Sequence, residues 1–212
     1  MGSTQRMLRF AATLALAASV GCAPVGKPSE ASADFAAFVL PALPDDAHPT
    51  LIDFGGKVHV VGYVVSPAGI AGPSEAVTVK LFWQRVGALE PGFQLFTHLE
   101  DDKERQLRNF DGQSALRAKI VAQKDGLALL ELGKIYKDEL TLEFPKANEL
   151  TPEVSLMVGV FNQKLYDETD RRQNMRLPVL SGSTNGHDAA IVANFATGVG
   201  RQQAVALKGS RP

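Results

Sequence analysis

The sequence predicts an all-β fold: an antiparallel two-sheet sandwich, Ig-like or jelly-roll-like, of about seven to nine strands. Three observations predict it. Between residues 51 and 196 the dominant hydrophobic period is two. Turn-forming combinations of Gly, Pro, Asn and Asp break the apolar runs at short intervals. No alternation of strand-like and helix-like runs signals βαβ units. A sheet of amphipathic strands has one apolar face to hide, and a second sheet is the simplest cover for it.

Residues 57–65 (Val58, Val60, Val61, Val64, Val65) are β-branched and apolar on both faces, which predicts a central strand. In residues 76–84, Val77, Val79, Leu81 and Trp83 alternate with Thr78, Lys80 and Gln84, and Phe82 is the one apolar residue on the wetter face. Residues 93–100 form a further strand candidate, while residues 115–122 are ambiguous between strand and helix. Residues 126–132 are again a strand candidate. In residues 134–144, Tyr136, Leu140, Leu142 and Phe144 fall on one side, with Lys137, Glu139, Thr141 and Glu143 on the other. Residues 154–161 (Val154, Leu156, Val158, Val160) read as a second central strand, and 175–180 and 189–195 complete the set. Turns are expected at Pro67-Ala68-Gly69, Ala71-Gly72-Pro73, Glu90-Pro91-Gly92, Asp101-Asp102, Asp111-Gly112, Asp125-Gly126 and Asn185-Gly186.

The ends differ from this middle. Arg6 and Arg9 precede an apolar run from Phe10 and a small-residue site at Ser19-Val20-Gly21, the layout of an export signal. That run is far shorter than the ~20 residues needed to span a bilayer. Cys22, the single cysteine of the chain, follows at once. With it, the stretch resembles the lipobox of bacterial lipoprotein precursors, although Ser19 stands where an aliphatic residue is usual. The resemblance implies cleavage before Cys22 and acylation of its thiol, palmitate included. The lipid bilayer then becomes the first partner, because two or more acyl chains anchor a protein stably. Ala23 after the cysteine resembles lipoproteins sorted to the outer membrane.

The organisation read from the sequence is a signal peptide at 1–21, a lipidated cysteine and Pro-rich stalk at 22–50, a β-sandwich at 51–196 and a disordered tail at 197–212. Within the stalk, Phe35, Phe38 and Val39 have the spacing of one helical turn set against the domain edge. The whole chain carries 22 basic and 23 acidic residues. Removing residues 1–21 deletes two arginines, leaving 20 against 23, a balance with no basic footprint for nucleic acid.

A second resemblance covers roughly residues 58–195. Gly62-Tyr63, the run Val77-Thr78-Val79-Lys80-Leu81-Phe82-Trp83, Phe96-Thr97-His98-Leu99-Glu100, Phe110-Asp111-Gly112, Leu132-Gly133-Lys134, Val158-Gly159-Val160-Phe161, Arg176-Leu177-Pro178-Val179 and Ile191-Val192-Ala193-Asn194-Phe195 carry it. Their order and spacing look like the soluble β-sandwich domain at the C-terminus of bacterial multi-spanning glycosyltransferases. Leu129 and Leu130 stand where that family often has Trp, and the membrane-embedded catalytic part has no counterpart here. The resemblance implies a fold, an envelope setting and glycan handling, without transferase activity.

Four residues are candidates for ligand contact: Tyr63, Phe82, Trp83 and His98. Trp83 shares its strand face with Val77, Val79 and Leu81, which predicts a core position; the alternative is a sugar-stacking platform, joined by Tyr63 and Phe82 if these are exposed. His98 reads as a strand histidine bonded to a nearby carboxylate such as Asp111, or as a base or ligand. His48, His59 and His187 are scattered without metal-ligand spacing, so no metal or cofactor is expected. The acidic run Tyr166-Asp167-Glu168-Thr169-Asp170 reads as a solvated tip balanced by Arg171 and Arg172 rather than a calcium loop. No nucleophile elbow or phosphate-binding glycine loop occurs. The expectation is a non-catalytic, membrane-anchored envelope binding module, with glycan favoured over a protein-scaffold role. The opposing class is a hydrolase with a carboxylate pair assembled from loops.

Overall fold

The computed structural model describes residues 34–68, 71–165 and 175–199. Two antiparallel sheets face one another. The larger has six strands in the order β1 (Val39–Leu40), β7 (Ile135–Glu143), β4 (Ala76–Arg85), β3 (Val58–Ser66), β2 (His48–Phe54) and β9 (Val179–Ser181). The smaller has four: β10 (Ala190–Ala196), β8 (Glu153–Asn162), β5 (Phe93–Asp101) and β6 (Gln106–Asn109). The two doubly apolar runs, β3 and β8, take internal positions, as their composition predicts.

Alternation along each strand sends one set of side chains between the sheets. Val58 and Val60 of β3, Val77 to Trp83 on β4, Leu140 and Leu142 of β7, Leu95 and Leu99 of β5, and Val154 to Val160 on β8 form this interior. The β2–β3 hairpin turns through Gly55 and Gly56, both with positive φ (62° and 64°). That conformation suits glycine and matches the strand twist. The Asp53 carboxylate holds it by accepting the Gly56 N–H at 2.7 Å.

Several expectations need correction. The folded part begins before residue 51: Phe35 is wholly buried, Ala36–Phe38 form a 3-10 turn, and β1 and β2 join the larger sheet. Phe35, Phe38 and Val39 do use their predicted spacing to pack on the core. Residues 115–122 resolve as helix α1 (Ala115–Ala122), capped by Ser114, whose Oγ accepts the Arg117 N–H at 3.0 Å. Residues 126–132 contain no strand. Gly126–Leu129 is a 3-10 turn, entered through Gly126, which has positive φ (57°) and lies against the Phe93 carbonyl, where a Cβ would collide. The strand expected at 175–180 shrinks to β9. At the far end Thr197 is buried, and the rest of the expected tail from Gly200 lies outside the described residues.

Helix α1 closes one side of the sandwich by sending Arg117 between the sheets. The guanidinium is 1% exposed and meets Asp138 of β7, which is fully buried. Arg117 Nε and Nη2 both lie 2.8 Å from Asp138 Oδ2, and Nη2 also donates to Thr97 Oγ1 of β5 at 2.7 Å. Trp83 Nε1 of β4 donates to the same carboxylate oxygen at 3.2 Å. Four elements from both sheets and the helix thus converge on one buried ion pair. Among the described residues no helix is long and apolar enough to cross a membrane.

Candidate functional site

The four expected ligand residues do not converge. Trp83 is wholly buried between the sheets, tilted on Phe54 with ring centres 6.0 Å apart, so its core reading holds. Tyr63 faces the same interior, half-buried, with its ring 5.3 Å from that of His48. Phe82 corrects the expectation of a wetter position. It sits on the outer face of the larger sheet but is only 1% exposed. Its cross-strand partner is Gly62, and the Leu43 side chain packs onto that glycine, so the Pro-rich segment before β2 crosses this face. Cys22 and the acidic run 166–170 lie outside the described residues.

His98 alone opens onto a different surface, the outer face of the four-stranded sheet. Alternation in β5 turns Leu95, Thr97 and Leu99 inward and Phe96, His98 and Glu100 outward. His98 is flanked across the sheet by Met157 of β8 and Asn109 of β6. Its Nε2 lies 3.4 Å from Asp111 Oδ1 and 3.3 Å from Asn109 Nδ2. The carboxylate expected beside this histidine is therefore the one found there.

Asp111 is built into the end of the β5–β6 pair. Its Oδ1 accepts the Thr97 N–H at 2.9 Å, and Oδ2 accepts from Asn109 Nδ2 at 3.0 Å. Asn109 Oδ1 in turn accepts the Asp111 N–H at 2.8 Å, closing a tight local turn. Burial by itself would raise the Asp111 pKa. The hydrogen bond from His98, those from the Thr97 N–H and Asn109, and the nearby His98 charge outweigh it and hold the carboxyl below its ordinary 3.8. At Asp101, too, burial pushes upward, and the Arg105 and Lys103 N–H groups with the Arg105 side chain bring the carboxyl below 3.8.

Both native pKa values are depressed, so below 3.8 the unfolded chain binds more protons than the native one. The stability these groups contribute is complete above the unfolded value and fades as pH falls through the native ones. Denaturant midpoints should therefore drop on acidification below about pH 4. Asp111→Asn should flatten part of that decline, and an unchanged pH profile would rule the contribution out.

Beside this cluster the outer face is apolar. Phe96 stands opposite Gly159, and its ring lies across the glycine where any Cβ would collide. The Arg176 guanidinium covers the other face of the ring, 4.5 Å from its centre, in cation–π geometry, and its Nη1 donates to the His187 carbonyl at 2.8 Å. Phe161 meets Phe96 edge-on at 6.1 Å and remains half-buried. Met157 and Ala189 complete this small second cluster.

Phe96, His98, Asn109, Asp111, Phe161 and Arg176 line a shallow, open hollow of about 170 Å³. An open groove of about 760 Å³ shares His98 and Arg176 with it and runs on past Glu100, Glu104 and Asn185 to His187. Asn185 Nδ2 donates to Glu100 Oε2 at 3.0 Å and His187 Nε2 lies 3.3 Å from Glu104 Oε2, so loop 184–188 is fastened to the β5–β6 hairpin. A half-buried aromatic ring beside planar amide, carboxylate and guanidinium groups suits a ligand with one apolar face and many hydroxyls.

Sequence reasoning found His98 and its carboxylate and missed Asn109, Phe161 and Arg176. The alternation of β5 and the glycine opposite Phe96 were visible signals; Arg176 falls in the strand candidate 175–180, but nothing in that pattern places it over Phe96. Among the described residues, no group of three or more His, Cys, Asp or Glu side chains is arranged to hold a metal ion. The chain matches no protein-family model and no curated protein.

Proposed function

We propose that this protein is an envelope lipoprotein, anchored through acylated Cys22, whose β-sandwich is a non-catalytic glycan-binding module with its site on the outer face of the four-stranded sheet. The observation that carries the reading is the half-buried Phe161 ring set among Asp111, Asn109, His98 and Arg176. The apolar face of a pyranose stacks on such a ring while its hydroxyls exchange hydrogen bonds with planar polar groups. Tyr63, Phe82 and Trp83 have no part in it, since two face the interior and the third is covered.

The full chain should be retained on immobilised cell-envelope polysaccharide, and Phe161→Ala should weaken that retention roughly tenfold, the loss of about 1.4 kcal/mol of stacking. Retention equal to wild type in a variant with unchanged thermal stability would remove Phe161 from the site. The anchoring half of the reading is independent: the mass of the native N-terminus should show residues 1–21 gone and Cys22 acylated. An unmodified thiol there would refute it.

A further inference from the structure

We propose that the edge of β7 with no strand beyond it among the described residues is a self-association site, pairing antiparallel with β7 of a second copy so that Lys137 faces Glu143 and Glu139 faces Thr141. On one side β7 is paired with β4 along its whole length. On the other, β1 covers only Ile135 and Tyr136, because the 3-10 turn Ala36–Phe38 carries the chain out of the ladder. From Lys137 to Glu143 no strand lies beyond β7 among the described residues. Unpaired N–H and C=O groups along such a stretch are a template for another strand.

The remaining edges are blunted. β9 and β6 are three and four residues long. The part of β2 outside β9 contains Pro49 and a break in register, and β10 is flanked by a bridge to Thr184 and a bond from the Ile191 N–H to the Ser183 carbonyl. Along the β7 edge, by contrast, an open groove of about 420 Å³ runs past Lys137, Glu139 and Thr141, with Phe38 at one end and Leu116 of α1 at the side.

The occupant follows from charge and length. The bare stretch is a run centred on Leu140, so a two-fold axis there matches it to itself, the condition for an isologous contact. In that register each Lys137, whose Nζ lies 3.2 Å from Glu139 Oε2 of its own strand, also meets a Glu143 of the other copy, and both side chains stand on the outer face with Glu139 and Thr141. A shift of two residues in one direction sets Glu139 against its own copy; in the other it sets Glu139 against Glu143. Like charges directly opposite disfavour both. A shift of one residue would turn the inward row outward.

A ladder this short buries less than a standard interface, so the association is weak and is best captured covalently. Two full-length variants, Lys137→Cys and Glu143→Cys, are expressed together and oxidised in the envelope. Directly opposed positions have Cα atoms about 4.5–5.5 Å apart, within the span of a disulfide. In either variant alone the introduced thiols are held roughly 20 Å apart by the six-residue offset. The expected result is a disulfide-linked dimer in the mixture, above the background set by each variant alone and by the parent chain with its own Cys22. A mixture that cross-links no more than the single variants, with both variants folded as judged by thermal midpoint, overturns the proposal.

Discussion

Replacing Asp138 with alanine is expected to cost about 3–5 kcal/mol of folding stability, a large share of the ~5–15 kcal/mol typical of a domain. The cost does not come from the attraction between Asp138 and Arg117 as such. It comes from leaving a guanidinium that is 1% exposed without its counter-charge in the middle of an apolar sandwich. The cap at Ser114 holds the helix turn that carries Arg117 in place, so the guanidinium has no cheap route to solvent. The pair replaced together by apolar residues of similar volume, Arg117→Met with Asp138→Leu, should recover most of the loss. Urea unfolding of the two variants checks this. An Asp138→Ala loss below about 1 kcal/mol would mean that the guanidinium finds water by a local movement of α1.

Trp83→Ala should be comparably severe, at about 3–5 kcal/mol, because it empties the largest fully buried side chain of the core. It also removes the Nε1 donor from Asp138 Oδ2. The two sites share one carboxylate, so their effects should not add, and the Trp83→Ala/Asp138→Ala chain should lose less than the sum of the single losses. Additivity within about 0.5 kcal/mol would show that the indole N–H contributes nothing to the network. Trp83 is the sole tryptophan, so its fluorescence reports unfolding in every variant that retains it. Retention on polysaccharide, measured on the folded fraction, should be unaffected by Trp83→Phe, since this ring never meets solvent.

Much of the architecture was legible because it rests on local rules. Period-two alternation and its turn residues located β3, β4, β5, β7, β8 and β10 nearly to the residue. The failures share a cause. Residues 34–50 look like stalk by composition, yet Phe35 is wholly buried in the core. Strand β2 hides behind Pro49, tolerated because β9 does not reach that far. Residues 126–132 have the hydrophobicity of a strand, but the crossing between sheets demands a positive φ at Gly126. Phe82 looked wet because alternation reports which face a residue takes and says nothing of what lies across that face.

The candidate site divides the same way. His98 and Asp111 were readable as a hairpin pair, since a strand histidine next to a turn carboxylate is a short-range arrangement. Arg176 over Phe96, and loop 184–188 fastened to Glu100 and Glu104, join segments some eighty residues apart and left no local trace. Asp138 gave one faint sign, a carboxylate in the inward row between Tyr136 and Leu140, without any hint that its partner would come from a helix.

The sequence by itself determined that this chain makes two amphipathic sheets, which residues alternate along their strands and where most turns fall, because those properties depend on neighbours along the backbone. The tertiary structure alone decided which faces stay open. Burying Phe82 on the outer face, burying Arg117 against Asp138, gathering Phe161 and Arg176 around His98 and leaving one edge of β7 without a further strand among the described residues all depend on which elements pack together, and no local pattern encodes that.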